Sequence, residues 1–180
     1  MIDCRFWRAA DGACVVEIPE SVIDVMVTQA DATHPLETGA SLVGHYSDDQ
    51  RTAYVDVVSP TPADAERSRY GFRRGLKGLA AFLERVFTRS KGKQYYIGEF
   101  HSHPGGAPTP SPDDDTAQFS IARDPGAQCA TPVLVIVGAE PEARRIGVYV
   151  YSRDGTKWVL APCERSGAEV IGTSKDVEPV

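Results

Sequence analysis

No stretch of the chain approaches the roughly 20 consecutive apolar residues that span a bilayer as a helix, and the first residues lack the basic-then-apolar order of a secretory signal. The expectation is a soluble, cytoplasmic protein. Cysteine is scarce. Cys4, Cys14, Cys129 and Cys163 never fall in C-x-x-C spacing, which excludes a Cys-rich zinc module. So sparse a set reads as small core residues of a reducing compartment. Positive charge is also short: 19 Lys and Arg against 25 Asp and Glu leave a formal net charge of -6. Such a surface argues against nucleic acid or an anionic membrane as partner. Repeats, low-complexity tracts and linkers are missing too. What remains is 180 residues, 42% of them apolar, enough for one domain with a real core.

The apolar pattern predicts an α/β domain: a single curved mixed β-sheet flanked by helices. Residues 4–8 and 13–18 read as strands around the turn A-A-D-G. A helix follows Pro19, with Val22, Val25, Met26 and Gln29/Ala30 at helical spacing. A-S-L-V-G-H-Y and T-A-Y-V-D-V-V-S are strands joined as a hairpin by S-D-D-Q-R. Phe72, Leu76, Leu79, Ala80, Leu83, Val86 and Phe87 make one helical stripe, weakened by Gly71, Gly75 and Gly78 at about 1 kcal/mol each. Q-Y-Y-I-G-E-F is a strand, and S-P-D-D-D-T-A-Q-F-S-I-A a helix. P-V-L-V-I-V-G is apolar throughout, as a central strand buried on both faces should be. R-I-G-V-Y-V-Y-S and K-W-V-L-A-P form a hairpin around R-D-G-T. The domain is assigned to residues 1–163 and a polar, loosely ordered tail to residues 164–180.

Two of the four histidines lie one residue apart at the end of a strand, in G-E-F-H-S-H-P. Side chains at i and i+2 of a strand share a face, so the imidazoles of His101 and His103 can converge on one ion. Pro104, Gly105, Gly106, Pro108 and Pro110 force the chain to turn. Ser111, Pro112 and Asp114 then spell a helix start: N-cap serine, proline at the first helical position, acidic residue at the third. Helix capping alone accounts for Ser111 and Pro112. It does not account for a helix starting directly after two same-face histidines. A carboxylate from that helix could supply a third ligand, and three protein ligands plus water is the open arrangement of catalytic zinc.

Taken together, His101, His103, Ser111 and Asp114 stand in the pattern H-x-H-x(7)-S-x(2)-D. This resembles the signature of the JAMM (JAB1/MPN/Mov34) metalloproteases, and I-G-E-F-H-S-H-P is similar to the prokaryotic branch. The resemblance runs from about Pro19 to Pro162 in element order. It implies the JAB1/MPN fold, which is cytidine-deaminase-like, with Zn2+ on His101, His103 and Asp114. It further implies Ser111 as a stabiliser of the tetrahedral intermediate, and a glutamate upstream as the base. The substrate implied is a ubiquitin-like protein or its conjugates, cut at a peptide or isopeptide bond after its C-terminus. E1- and E2-like proteins of the same system would be partners, and some such systems serve anti-phage defence. Two other members of the family's repertoire are hydrolases of sulfur-carrier-protein adducts and non-catalytic MPN scaffolds.

Two glutamates compete for the base. Glu99 lies two residues before His101 and so should share its face. Proximity alone favours it. Glu37, in H-P-L-E-T-G-A-S-L-V-G, matches the family's catalytic glutamate, so the resemblance assigns the base to Glu37. Glu99 is then either an orienter of a ligand imidazole or a residue of the cleft rim. Asp113 is expected to stabilise the helix N-terminus and Asp115 to be solvated. His34 and His45 read as surface or packing residues. Arg67, Arg69, Arg73, Arg74 and Lys77 read as the solvated face of a helix, with an acidic partner as the sharper alternative.

Overall fold

The first two strands form an antiparallel hairpin, β1 (Cys4–Ala9) and β2 (Val15–Pro19), with Trp7 opposite Val16. The computed structural model describes residues 3–139 and 146–164, so the expected tail lies outside the described residues except for Glu164. Pro19, at φ -59°, leads into α1 (Glu20–Thr33). Its buried face is Val22, Ile23, Met26 and Ala30, whereas Val25 is 44% exposed. The expected stripe is thus corrected at one position. Ile23, Met26 and Ala30 fall at i, i+3 and i+7, and Val25 stands about 100° round the helix from Met26.

The next two strands, β3 (Gly39–Tyr46) and β4 (Thr52–Val58), pair as the expected hairpin. The long helix over 72–87 does not form. A two-stranded hairpin, β5 (Glu66–Arg67) and β6 (Phe72–Arg73), takes its first part, and α2 covers only Leu79–Arg89. Asp64 explains the break. Its carboxylate accepts from the backbone amides of Leu76 (3.1 Å) and Lys77 (2.9 Å), an alternative to helical hydrogen bonding. A Cβ on Gly75 would lie 2.0 Å from Asp64 Oδ1, and Gly78 enters α2 at φ +82°. The basic residues before Leu79 therefore sit on the hairpin and its exit, not on a helix face.

The remaining strands and helix follow the reading closely: β7 (Tyr95–Ser102), α3 (Pro112–Arg123), β8 (Val133–Val137), β9 (Ile146–Tyr151) and β10 (Lys157–Cys163), with an additional short 3-10 turn (Pro125–Ala127) after α3. In the sheet, β1 lies between β2 and β10, and β8 between β7 and β9. β3 lies between β4 and β7. β2–β4 and β7–β8 run parallel and the other pairs antiparallel, so the sheet is mixed and strongly curved. Its inner face closes on α1 to form the main core, with residues from all eight strands. All five residues of β8 are fully buried, as expected for a central strand. A smaller core, Leu134, Ile136, Tyr149 and Tyr151 with Phe119, lies on the other face beneath α3. Among the described residues, no disulfide joins any of the four cysteines. Among the described residues, no helix is long and apolar enough to cross a membrane.

One irregularity in β7 decides where the histidines point. Leu42 of β3 pairs with Gly98 but Val43 pairs with Tyr96, so Ile97 is an extra residue, a β-bulge. In a regular strand Ile97 and Phe100, three apart, would face opposite ways. Both belong to the main core. The bulge thus switches the alternation, and Glu99 and His101 emerge on the face away from α1. Gly98 makes this conformation available at φ +152°, where a Cβ would lie 1.9 Å from the Val133 carbonyl oxygen. Gly98→Ala is expected to cost about 2–4 kcal/mol through strain and collision with β8, read as a lowered midpoint of denaturant unfolding.

Candidate active site

The sequence places His101 and His103 at the end of β7, and there their rings sit with centroids 4.8 Å apart and Nε2 atoms 3.0 Å apart. His103 lies one residue beyond the strand, held by its own backbone amide, which donates to the Val137 carbonyl at 2.9 Å. Its Nδ1 is 3.0 Å from the carbonyl oxygen of Ala107. A carbonyl can only accept, so Nδ1 carries the proton and Nε2 is left with its lone pair, the tautomer a metal ligand needs. Burial holds this imidazole below its ordinary value, against the opposing hydrogen bond to Ala107, and so favours the neutral ring.

The third donor arrives with α3. Ser111 is the N-cap and Pro112 opens the helix, with a full capping box to Asp114. The Asp114 amide donates to Ser111 Oγ at 3.2 Å, while Ser111 N–H and Oγ–H both donate to Asp114 Oδ2 at 2.7 Å. Capping and ligation are therefore one arrangement: the bonds that start the helix also fix the carboxylate. Asp114 Oδ1 lies 3.4 Å from His101 Nε2, and Oδ2 lies 3.7 Å from His103 Nε2. Burial pushes this carboxyl up, but the hydrogen bond and charge of His101, with the two donors of Ser111, hold it well below the usual carboxylate range.

Among the described residues these three form a group able to hold a metal, with donor atoms within 4.8 Å of one another. Ligands at 2.0–2.1 Å on a tetrahedral ion lie about 3.3 Å apart, and the observed 3.0, 3.4 and 3.7 Å bracket that edge. Two nitrogens and a carboxylate oxygen suit zinc or a similar divalent ion.

Glu37 closes the site from the segment just before β3. Gly39 is in register with His101, and Ser102 N–H donates to the Thr38 carbonyl at 2.8 Å, so the pairing continues to set Glu37 opposite His103. Gly39 permits the approach: a Cβ there would lie 2.3 Å from the Phe100 carbonyl and 3.0 Å from the His101 Cβ. The Glu37 amide is held by the Ser68 carbonyl at 2.8 Å. Its side chain is buried, 9% exposed, yet lines a cleft of about 390 Å³ with His101, His103, Ser111 and Asp114. Burial raises its carboxyl, with Asp114 adding to the effect and His101 opposing it.

Glu99 does share the histidine face, but its carboxylate is taken by the guanidinium of Arg74 and by the Tyr96 hydroxyl at 3.2 Å. Arg74 also donates to Ser41 Oγ at 3.1 Å. Neither expectation for Glu99 describes this role: it fastens the 64–78 segment to the sheet. Arg67 reaches the Thr38 hydroxyl at 3.4 Å and Arg73 faces Glu66. The basic cluster is thus partly consumed in anchoring the hairpin, which corrects the solvated-helix reading. Asp115 is not solvated either, for it accepts from Tyr151 Oη at 2.6 Å and Lys157 Nζ at 2.7 Å. Asp113 lies exposed in the first turn of α3, on the cleft wall. His45 stacks on Tyr54 and meets Asp56, a packing role, and His34 ends α1. Sequence reasoning did not place Arg69, Tyr70 and Phe72 at the site, yet they line the same cleft as His101, His103 and Asp114. The three glycines inside the supposed helix were the signal for a hairpin there.

Residues 19–148 match the family model described as prokaryotic homologs of the JAB domain. The chain belongs to this prokaryotic JAB-domain family. It is 40% identical over 134 residues to a CD-NTase/cGAS isopeptidase of Enterobacter hormaechei subsp. hoffmannii, covering 74% of this chain and 73% of that protein. It is 30% identical over 129 residues to the probable metalloprotease y4qB of Sinorhizobium fredii, covering 71% and 78%. The solution structure of protein DSY2949 from Desulfitobacterium hafniense shares the fold at a TM-score of 0.56 and 22% identity, over 82% of this chain and 88% of that one.

In metal-free protein, the Glu37 carboxyl should titrate by NMR above the ordinary value of 4.5. A carboxyl raised on folding costs stability once pH exceeds its unfolded value, and the full cost is present above its folded value. Glu37→Gln is therefore expected to raise the melting temperature of metal-free protein at neutral pH and to leave it unchanged below pH 4.

Proposed function

We propose that the chain is a zinc-dependent isopeptidase of the JAMM type, which cuts the bond after the C-terminus of a ubiquitin-like protein. The observation that carries this is the convergence of His101, His103 and Asp114 within 4.8 Å beside a buried glutamate in one open cleft. The relative named CD-NTase/cGAS isopeptidase supports the isopeptide bond and makes a conjugate on a CD-NTase the leading substrate. E1- and E2-like proteins would then be partners, in an anti-phage system of the cytoplasm. A non-catalytic scaffold would have no need of a complete donor set with its base.

The two imidazoles and the Asp114 carboxylate would hold the ion. When bound, it supplies Lewis-acid polarisation of the scissile carbonyl and a lowered pKa for water. Glu37 takes a proton from the attacking water and hands it to the departing amine. Its buried setting brings its basicity toward neutrality, where such transfer is efficient. Ser111 Oγ–H, anchored at the helix start, turns from Asp114 toward the developing oxyanion; loss of such a donor costs about 3–4 kcal/mol of barrier in other hydrolases. Arg69, Tyr70 and Phe72 line the cleft that would receive the C-terminal segment of the ubiquitin-like substrate.

Protein purified without chelator is expected to contain zinc near 1:1 by elemental analysis, and His103→Ala to lose it. Glu37→Gln should keep zinc and lose cleavage of ubiquitin-like conjugates by about a thousandfold or more. Zinc-free wild type would overturn the reading in favour of a scaffold. Zinc-loaded wild type that cleaves small amino-acid adducts of sulfur-carrier proteins, but no protein conjugate, would shift the substrate and retain the chemistry.

A further inference from the structure

Two tyrosines outside the signature, Tyr149 and Tyr151, stand two residues apart on β9 and so share a face. Their rings are buried in the small core under α3, 7% and 0% exposed. Both hydroxyls reach out of that core, and each ends one residue from a group that builds the metal site. Tyr149 Oη donates to the Pro108 carbonyl at 2.7 Å. Pro108 follows Ala107, whose carbonyl fixes the tautomer of His103. Tyr151 Oη donates to Asp115 Oδ1 at 2.6 Å, and Asp115 follows the ligand Asp114.

The contacts are specific beyond the hydroxyls. Tyr151 meets Phe119 edge-on, at 5.1 Å between centroids. Phe119 and Asp115, four apart, share one face of α3. One side chain thus grips α3 at two points a turn apart, Asp115 near its start and Phe119 beyond it, and Asp114, about 100° round the helix, is left facing the histidines. On the other arm, Gly147 lets the loop come in. A Cβ there would lie 2.1 Å from the Pro108 carbonyl oxygen and 2.9 Å from the Tyr149 ring. The site's ligands come from a strand end and a helix start separated by a Gly/Pro loop. That loop gains rigidity only from what it is tied to.

We propose that Tyr149 and Tyr151 are positioning residues of the metal site: one sets the loop that orients His103, the other sets the helix start that presents Asp114. Rigid β9 is the common reference for both. This rests on the metal-site reading above, and the experiment separates the two.

Zinc affinity is measured by competition with a chromophoric chelator for wild type, Tyr149→Phe, Tyr151→Phe and the control Tyr54→Phe, with the melting temperature of each metal-free protein. The Phe variants keep the buried ring and lose only the hydroxyl. Each site variant is expected to weaken zinc binding on the order of tenfold, the lower end of what outer partners of metal ligands contribute, with Tyr54→Phe unchanged. Asp115→Ala, which removes the acceptor of that hydroxyl, should reproduce the Tyr151→Phe loss and add little to it in the double variant. In metal-free protein at pH 8, nitrogen-15 NMR should show His103 protonated at Nδ1 in wild type and a mixture of tautomers in Tyr149→Phe. Wild type that binds no zinc would sink the metal reading, and the His103 tautomer would still test Tyr149. Zinc-binding wild type with unaltered affinity in both Phe variants, or losses matched by Tyr54→Phe, would overturn the positioning role alone.

Discussion

The site depends on the pairing of β3 with β7 and on the extra residue in it. The bulge at Ile97 and Gly98 sends Ile97 and Phe100 into the core and His101 to the opposite face. The same register brings Gly39 beside His101 and carries Glu37 to the level of His103. Glu37, just before β3, and the two histidines at the end of β7 are therefore placed by neighbouring strands locked by backbone hydrogen bonds, although more than sixty residues separate them in sequence. A slip of one residue would turn every side chain of the strand to the wrong face. The core and the chemistry thus impose the same requirement on one ladder.

The second support is the start of α3. Ser111 and Asp114 satisfy the orphan amides of the first turn, and this alone would justify their presence. Their bonds also consume Asp114 Oδ2 and leave Oδ1 turned to His101. A carboxylate so held stays ionised, and an imidazole bonded through Nδ1 to a carbonyl stays neutral at Nε2. Local rules of helix initiation and strand termination thus do most of the preparation for binding a cation.

This is why the candidate metal site was legible in the sequence. The spacing of His101 and His103, the proline-glycine turn and the serine-proline helix start are all local signals, and the structure brings the three donors together as that spacing required. The central strand Val133–Val137 and the hairpins were equally readable, because their patterns are short and self-contained. Glu37 could be reached only through family resemblance, since its place opposite His103 is a long-range register. The segment 64–78 misled for a related reason. Its apolar residues recur at helical spacing, but Asp64, a dozen residues away, captures the amides that a helix would have used. Asp115 and Glu99 were misplaced because their partners, Tyr151, Lys157 and Arg74, come from distant strands and turns.

The hairpin that replaced the expected helix is anchored at its base by Arg74 on Glu99 and Ser41, and by Asp64 on the backbone of its exit. Its tip is a closed unit: Ser68 N–H and Oγ–H both donate to the Gly71 carbonyl, at 2.9 and 3.0 Å, and the Tyr70 side chain is 92% exposed. The outward carbonyl of Ser68 is the same one that holds the Glu37 amide. Residues 69 and 70 can therefore be exchanged in evolution without moving Glu37, whereas a change in loop length would be felt at once by its carboxylate. The fold thus leaves this wall of the cleft open to drift by substitution and closes it to drift by insertion.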